Sequence, residues 1–196
     1  MSTSAADDAG EAGPEARMVG IAVHDVLAKY DYRHDQPASR RAAVEGFVRR
    51  ALGAVTTATP ESTAELAALA EAFIGSPRGQ AIVGAKQVFR ELEFLLAWPL
   101  DRPADDGIHL QGFLDLLYED AAGRWCIVDY KSHRTASANL AAVAEPYRLQ
   151  LAVYALAVEQ ILGRALDELT LFFLRGGAEF SVPWNAAEKR KAIEAV

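Results

Sequence analysis

The chain has 196 residues, the length of one to one and a half ordinary domains, so a single compact unit with its own core is expected. Its composition, 51% hydrophobic, 9% aromatic and 24% charged, excludes a disordered, collagenous or low-complexity chain. The 27 acids against 20 bases leave a net charge of −7, which counts against holding nucleic acid through a general positive field.

The single cysteine, Cys126, excludes an internal disulfide framework, a four-cysteine zinc site and a cysteine-held iron–sulfur cluster, and points to a reducing cytoplasm. No apolar run reaches the roughly 18 residues of a membrane span, and the first residues lack the basic start and apolar stretch of an export signal. No membrane partner is expected.

Residues 1–16 carry small residues, Pro14 and the acids Asp7, Asp8, Glu11 and Glu15, and read as a disordered acidic tail or linker. From Met18, the spacing of Val19, Val23, Val26, Leu27 and Tyr30 predicts a helix. A second helix over about 38–54 turns Val44, Phe47, Val48 and Leu52 inward, and a third starts near Pro60 and stops at Pro77 and Gly79. The pattern then becomes β-rich. Gln87–Trp98, Ile108–Tyr118 and Trp125–Lys131 read as three consecutive antiparallel strands, the last two joined by the turn Asp120-Ala-Ala-Gly123. Glu145–Leu162 reads as a helix stopped by Gly163, Leu169–Leu174 and Phe180–Trp184 as strands around a Gly176-Gly177 turn, and Asn185 onward as a charged helix. This order predicts an α/β fold, a mixed central sheet flanked by helices with an N-terminal helical segment. The expected division is a helical part 17–84, a core 86–184 and a C-terminal helix 185–196, all in one domain.

The chemistry concentrates in Gly112-Phe-Leu-Asp115 and Ile127-Val-Asp129-Tyr-Lys131. A hairpin centred on Ala122 sets Asp115 opposite Asp129. Strand alternation groups Asp115 with Phe113 and Leu117, and Asp129 with Ile127 and Lys131, so two carboxylates converge on a largely apolar face. Facing carboxylates repel, and a fold that keeps both needs a raised pKa or a cation between them; a hard divalent metal with oxygen ligands fits. Lys131, on the same side, is placed to hold or activate a water or to neutralise charge developing on a phosphate.

The ordered set Gly20-Ile-Ala-Val-His24, Arg90-Glu-Leu-Glu-Phe94, GFLD, IVDYK and Gln150-Leu-Ala-Val-Tyr154 resembles the nuclease domain of the RecB and AddA helicase-nucleases in the PD-(D/E)xK superfamily, over about residues 17–183. The resemblance implies a restriction-endonuclease-like core. It also implies His24, Asp115, Asp129 and the Tyr130 backbone carbonyl as metal ligands and Lys131 as the catalytic lysine. Glu91 would be the acid of the first strand, with Glu93 as the alternative, and Gln150 and Tyr154 would support the site and contact DNA. Leu114 stands where a proline precedes the first aspartate in many members, and the cysteines of the iron–sulfur branch are missing.

Gly79–Lys86 lacks the lysine–serine/threonine ending of a P-loop, so ATP hydrolysis is not expected from this chain. No nucleophile elbow is present around Ser132-His133, and His133, Arg134, Tyr147 and Arg148 read as DNA-facing or plain surface positions. The expected function is Mg²⁺-dependent hydrolysis of DNA phosphodiester bonds, with Mn²⁺ as a possible substitute, and release of a 5′-phosphate. The expected substrate is single-stranded DNA supplied by a helicase domain or subunit during double-strand-break repair and recombination. The rival expectation is a non-catalytic clamp or docking scaffold with a nuclease-like fold.

Overall fold

A computed structural model of the protein describes residues 13–53, 58–100, 107–133 and 139–195. The chain opens with a helical layer, α1 (Pro14–Lys29), α2 (Arg40–Leu52), α3 (Pro60–Gly75) and α4 (Pro77–Val83). Three of these helices begin on proline, whose fixed φ suits a first turn and whose missing N–H is no loss there. Helix α3 stops at Gly75, just before Pro77 as the sequence predicts, but Pro77 then opens a further helix, α4, with the Ser76 hydroxyl accepting from the Gly79 backbone N–H. Residues 1–12 of the expected tail lie outside the described residues, while Pro14 to Arg17 already belong to α1.

The sheet follows in the order β1-β2-β3-β4-β5. Strands β1 (Gln87–Trp98), β2 (Ile108–Glu119) and β3 (Trp125–Lys131) are antiparallel, as the sequence predicts. The short helix α5 (Leu140–Ala144), a 3₁₀ turn (Glu145–Tyr147) and α6 (Arg148–Leu162) cross back to β4 (Glu168–Phe173), which pairs parallel to β3. The helix expected from Glu145 therefore starts only at Arg148, because Pro146 supplies no N–H to continue the preceding turn. Strand β5 (Ala178–Ser181) begins and ends earlier than the expected 180–184, Pro183 being unable to donate to a ladder; α7 (Ala186–Ala195) closes the described chain.

The sheet separates two hydrophobic cores. One packs α1 to α4 against Leu116, Tyr118, Cys126, Val128, Tyr130 and Phe172; the other packs α6 against Leu114, Leu117, Ile127, Leu169, Leu171 and Phe173. Strands β3 and β4 alternate cleanly between them. The β1–β2 hairpin does not. Near the β2–β3 turn, Val88, Leu116 and Tyr118 face the helical layer, whereas beyond Glu91 and Asp115 the even-numbered Leu92, Phe94, Leu96, Leu110 and Leu114 face α6. The register is unchanged across this point, Arg90 opposite Leu116 and Leu92 opposite Leu114, so no residue is inserted. Both strands turn over together at the rung of Glu91 and Asp115, where Glu91 takes a left-handed φ of 47°. That conformation costs a residue with a side chain about 1–2 kcal/mol.

This overturns one expectation. Phe113 and Leu117 do not flank Asp115 on one common face: Leu117 packs in the α6 core, Phe113 belongs to neither core and the Asp115 carboxylate meets His24 of α1, because period-two alternation holds only within an uninterrupted strand.

Candidate active site

Gly20 and His24 occupy one face of α1, one turn apart. A Cβ on Gly20 would lie 2.5 Å from the Ser132 Oγ, so glycine lets α1 close against the residue that follows β3. This approach brings the buried His24 ring to the sheet. Its Nδ1 lies 3.0 Å from Asp115 Oδ1, and the ring meets Tyr130 edge-on at 5.7 Å. Burial works to lower the His24 pKa, but the Asp115 carboxylate beside it outweighs that effect and the net shift is upward.

Asp115 sits where the β2–β3 ladder stops. The register is the one expected from the hairpin turn, Leu116 opposite Val128 being its last pair. One step beyond, Asp115 Oδ2 accepts from the Tyr130 backbone N–H at 2.8 Å, a side chain taking the place of a ladder carbonyl. The Tyr130 ring points away into the helical-layer core.

Asp129 and Lys131 are both 2% exposed, and Lys131 Nζ lies 2.9 Å from Asp129 Oδ2. The contact is off the direction of a hydrogen bond, which leaves Asp129 Oδ2 buried without an aligned donor among the described residues. Burial pushes the Asp129 carboxyl up to about 6, opposed by Lys131 and reinforced by the Asp115 charge. Lys131 also donates to Gln150 Oε1 at 3.4 Å, and Gln150 Nε2 donates to the Tyr154 hydroxyl at 3.0 Å. These two α6 residues are one turn apart, as their spacing predicts. Tyr154 is buried edge-on against Phe94 at 5.5 Å, and its hydroxyl is pushed upward in pKa by burial and by Asp129 and Asp115. A Cβ on Gly112 would come within 2.8 Å of the Phe94 ring, so that glycine makes room for the aromatic pair.

Of the two first-strand acids, Glu91 is the one beside the cluster. His24, Glu91 and Asp115 each offer an atom within 4.8 Å of the other two. Surrounding protein raises the Glu91 pKa, as does the Asp115 charge. Glu93 instead accepts from Gln111 on the exposed face of the hairpin.

One neighbour was not read from the sequence as part of this group. The Tyr147 ring lies under Lys131 Nζ, 4.1 Å from the ring centroid. An aromatic residue three positions before Gln150, hence on the same helical side, is the signal that points to it. His133 stacks near-parallel to Tyr147 at 6.0 Å and is half-buried against Phe173, not a plain surface residue. Arg148 pairs with Glu145 at 2.6 Å, and Arg134 lies outside the described residues.

The donor set suits a hard divalent cation: carboxylates and an imidazole converge, and one buried carboxylate oxygen has no aligned donor.

The sequence matches the PD-(D/E)XK nuclease superfamily over residues 4–193. It is 33% identical over 174 residues to an ATP-dependent helicase/nuclease subunit from Desulforudis audaxviator, covering 85% of this chain and 14% of that protein. The protein of the same name from Pelotomaculum thermopropionicum is 31% identical over 176 residues, covering 85% of this chain and 13% of the relative. That from Moorella thermoacetica is 36% identical over 135 residues, covering 63% of this chain and 9% of the relative. The chain thus spans about one seventh or less of the length of these curated relatives. With five strands among the described residues in a mixed sheet, helices on both faces and this match along nearly its whole length, the chain belongs to the PD-(D/E)XK nuclease superfamily.

Proposed function

We propose that the chain is the nuclease domain of an ATP-dependent helicase-nuclease, a deoxyribonuclease that hydrolyses phosphodiester bonds with Mg²⁺, Mn²⁺ serving as a substitute. In this reading the substrate is single-stranded DNA delivered by a helicase domain or subunit during double-strand-break repair, in the cytoplasm. The observation that carries it is the burial of Asp115, Asp129 and Lys131 together beside His24 and Glu91. A scaffold has no use for two carboxylates and an ammonium withdrawn from water, because such burial costs stability.

His24, Glu91, Asp115, Asp129 and the Tyr130 carbonyl are the groups proposed to hold the ion, which when bound polarises the phosphate and lowers the pKa of water. Asp115 is anchored for that task by its bond from the Tyr130 backbone N–H. Lys131 orients the attacking water or neutralises negative charge developing on the phosphate. Gln150 accepts a long hydrogen bond from the Lys131 ammonium on the α6 side, and Gln150 in turn donates to the Tyr154 hydroxyl. The rim formed by α6 is where a strand would be gripped.

The test is degradation of end-labelled single-stranded DNA with Mg²⁺ or Mn²⁺, comparing the chain with Asp129→Ala and Lys131→Ala. Metal-dependent cleavage that falls by at least about a hundredfold in both variants is expected. Cleavage without metal, or surviving both substitutions, would sink the mechanism; no cleavage even alongside a helicase partner would favour a clamp or scaffold.

A further inference from the structure

We infer that Tyr147 is a positioning residue for Lys131, its aromatic face forming the seat on which the ammonium is held. The inference rests on the proposed role of Lys131 and adds to it a residue that acts through the lysine.

Lys131 is 2% exposed, and the oxygens of Asp129 and Gln150 are among its neighbours. Asp129 Oδ2 is close at 2.9 Å but misaligned, and Gln150 Oε1 is long at 3.4 Å. The Tyr147 ring supplies a broad electronegative face 4.1 Å from Nζ, a distance at which a cation is attracted without fixing the direction of its N–H bonds. That suits a catalytic lysine. A seat made of a third carboxylate would bind the N–H donors and pull the ammonium away from the substrate, whereas a ring lets them turn.

The ring is itself well placed. Tyr147 ends the 3₁₀ turn before α6 and caps the first turn of the helix that carries Gln150, so ring and amide approach Lys131 from one element. The His133 imidazole stacks near-parallel to it at 6.0 Å and is itself braced edge-on at 5.5 Å by Phe173 of β4, which is fully buried. A chain of packed rings thus runs from the core to the lysine. The Tyr147 hydroxyl has no part in this role; a phosphate-binding tyrosine would depend on it.

The hydroxyl and the ring are separated by comparing Tyr147→Phe with Tyr147→Leu in the full chain. Tyr147→Phe is expected to cleave single-stranded DNA within about twofold of the parent, and Tyr147→Leu to lose about tenfold in kcat with KM unchanged. A readout independent of activity is the NMR signal of the Lys131 Cε protons, which the ring should shift upfield of solvated lysine. That shift should persist in Tyr147→Phe and vanish in Tyr147→Leu. Full activity in Tyr147→Leu, equal losses in both variants, or a Lys131 signal at the solvated position in the parent would each overturn the inference. If the parent does not cleave, or Lys131→Ala cleaves normally, the nuclease mechanism fails, and the NMR series still decides whether the ring seats the lysine.

Discussion

The Asp129 carboxyl is held close to neutrality by burial, with a misaligned ammonium to offset it, and this has a consequence for stability. Between about pH 4 and 6 the folded chain keeps a proton on Asp129 that the unfolded chain releases, so this group makes stability fall as pH rises through that window. His24 acts with the same sign at higher pH: its protonated form favours the fold below about 6.5, and that contribution is lost as pH rises through its raised folded value. Asp35, held below the usual carboxylate range by its hydrogen bonds from Arg40, acts oppositely, stabilising above its unfolded pKa and losing that contribution in acid. The informative quantity is therefore a difference. In metal-free buffer, Asp129→Asn should gain melting temperature relative to the parent between pH 4 and 7. Added Mg²⁺ should raise the melting temperature of the parent more at pH 8 than at pH 5. Parallel melting curves for parent and variant across that range would contradict the account of Asp129.

At the scale of elements, the site depends on how closely α1 approaches the end of β3, and Gly20 sets that approach. Gly20→Val should push α1 away from Ser132, lowering stability by about 1–3 kcal/mol and weakening metal-dependent activity through His24. Removing the opposing side chain should relieve the clash, so Gly20→Ala combined with Ser132→Gly is expected to be closer to the parent than Gly20→Ala alone, in both melting temperature and cleavage rate. The spacing of Gly20 and His24 was legible in the sequence, but the reason for the glycine was not, since Ser132 lies more than a hundred residues away. The bounds of β1 and β3 were legible because aliphatic and aromatic runs end at turn residues. So was the β2–β3 register, because the Asp120 side chain closes its own turn by accepting from the Ala122 and Arg124 backbone N–H groups. The turnover of the hairpin was not legible. It hinges on Glu91, a residue type with no preference for positive φ, and is imposed by two cores that claim opposite faces of the same strands. Its effect falls on the site itself, breaking the simple alternation that groups Asp115 with both Phe113 and Leu117.

For the whole molecule, the charge of −7 is distributed to a purpose that the total conceals. Four acids lie in residues 1–16, Glu91 and Asp115 converge with His24, and Asp129 is buried against Lys131. Several arginines are engaged internally: Arg78 with Glu168 and Glu179, Arg40 with Asp35, Arg90 with the Tyr30 carbonyl, and Arg175 with Glu65. Guanidiniums committed in this way do not track a phosphate backbone. The isolated chain is therefore expected to bind single-stranded DNA weakly, with a Kd of about 10⁻⁴ to 10⁻⁶ M, and to lose less than about tenfold in affinity between roughly 50 and 200 mM salt. Fluorescence anisotropy with a labelled oligonucleotide measures both, and a loss of about a thousandfold over that range would reveal a cationic groove that the fold does not suggest. The overturned hairpin also offers a practical handle. Beyond Glu91, the odd-numbered positions of β1 belong to neither core, and Leu95 is 63% exposed. It lies four residues along the strand from Glu91, about 13 Å. A cysteine there, with Cys126 buried, would take a fluorophore selectively and report on occupancy of the site from a position that no packed side chain would notice.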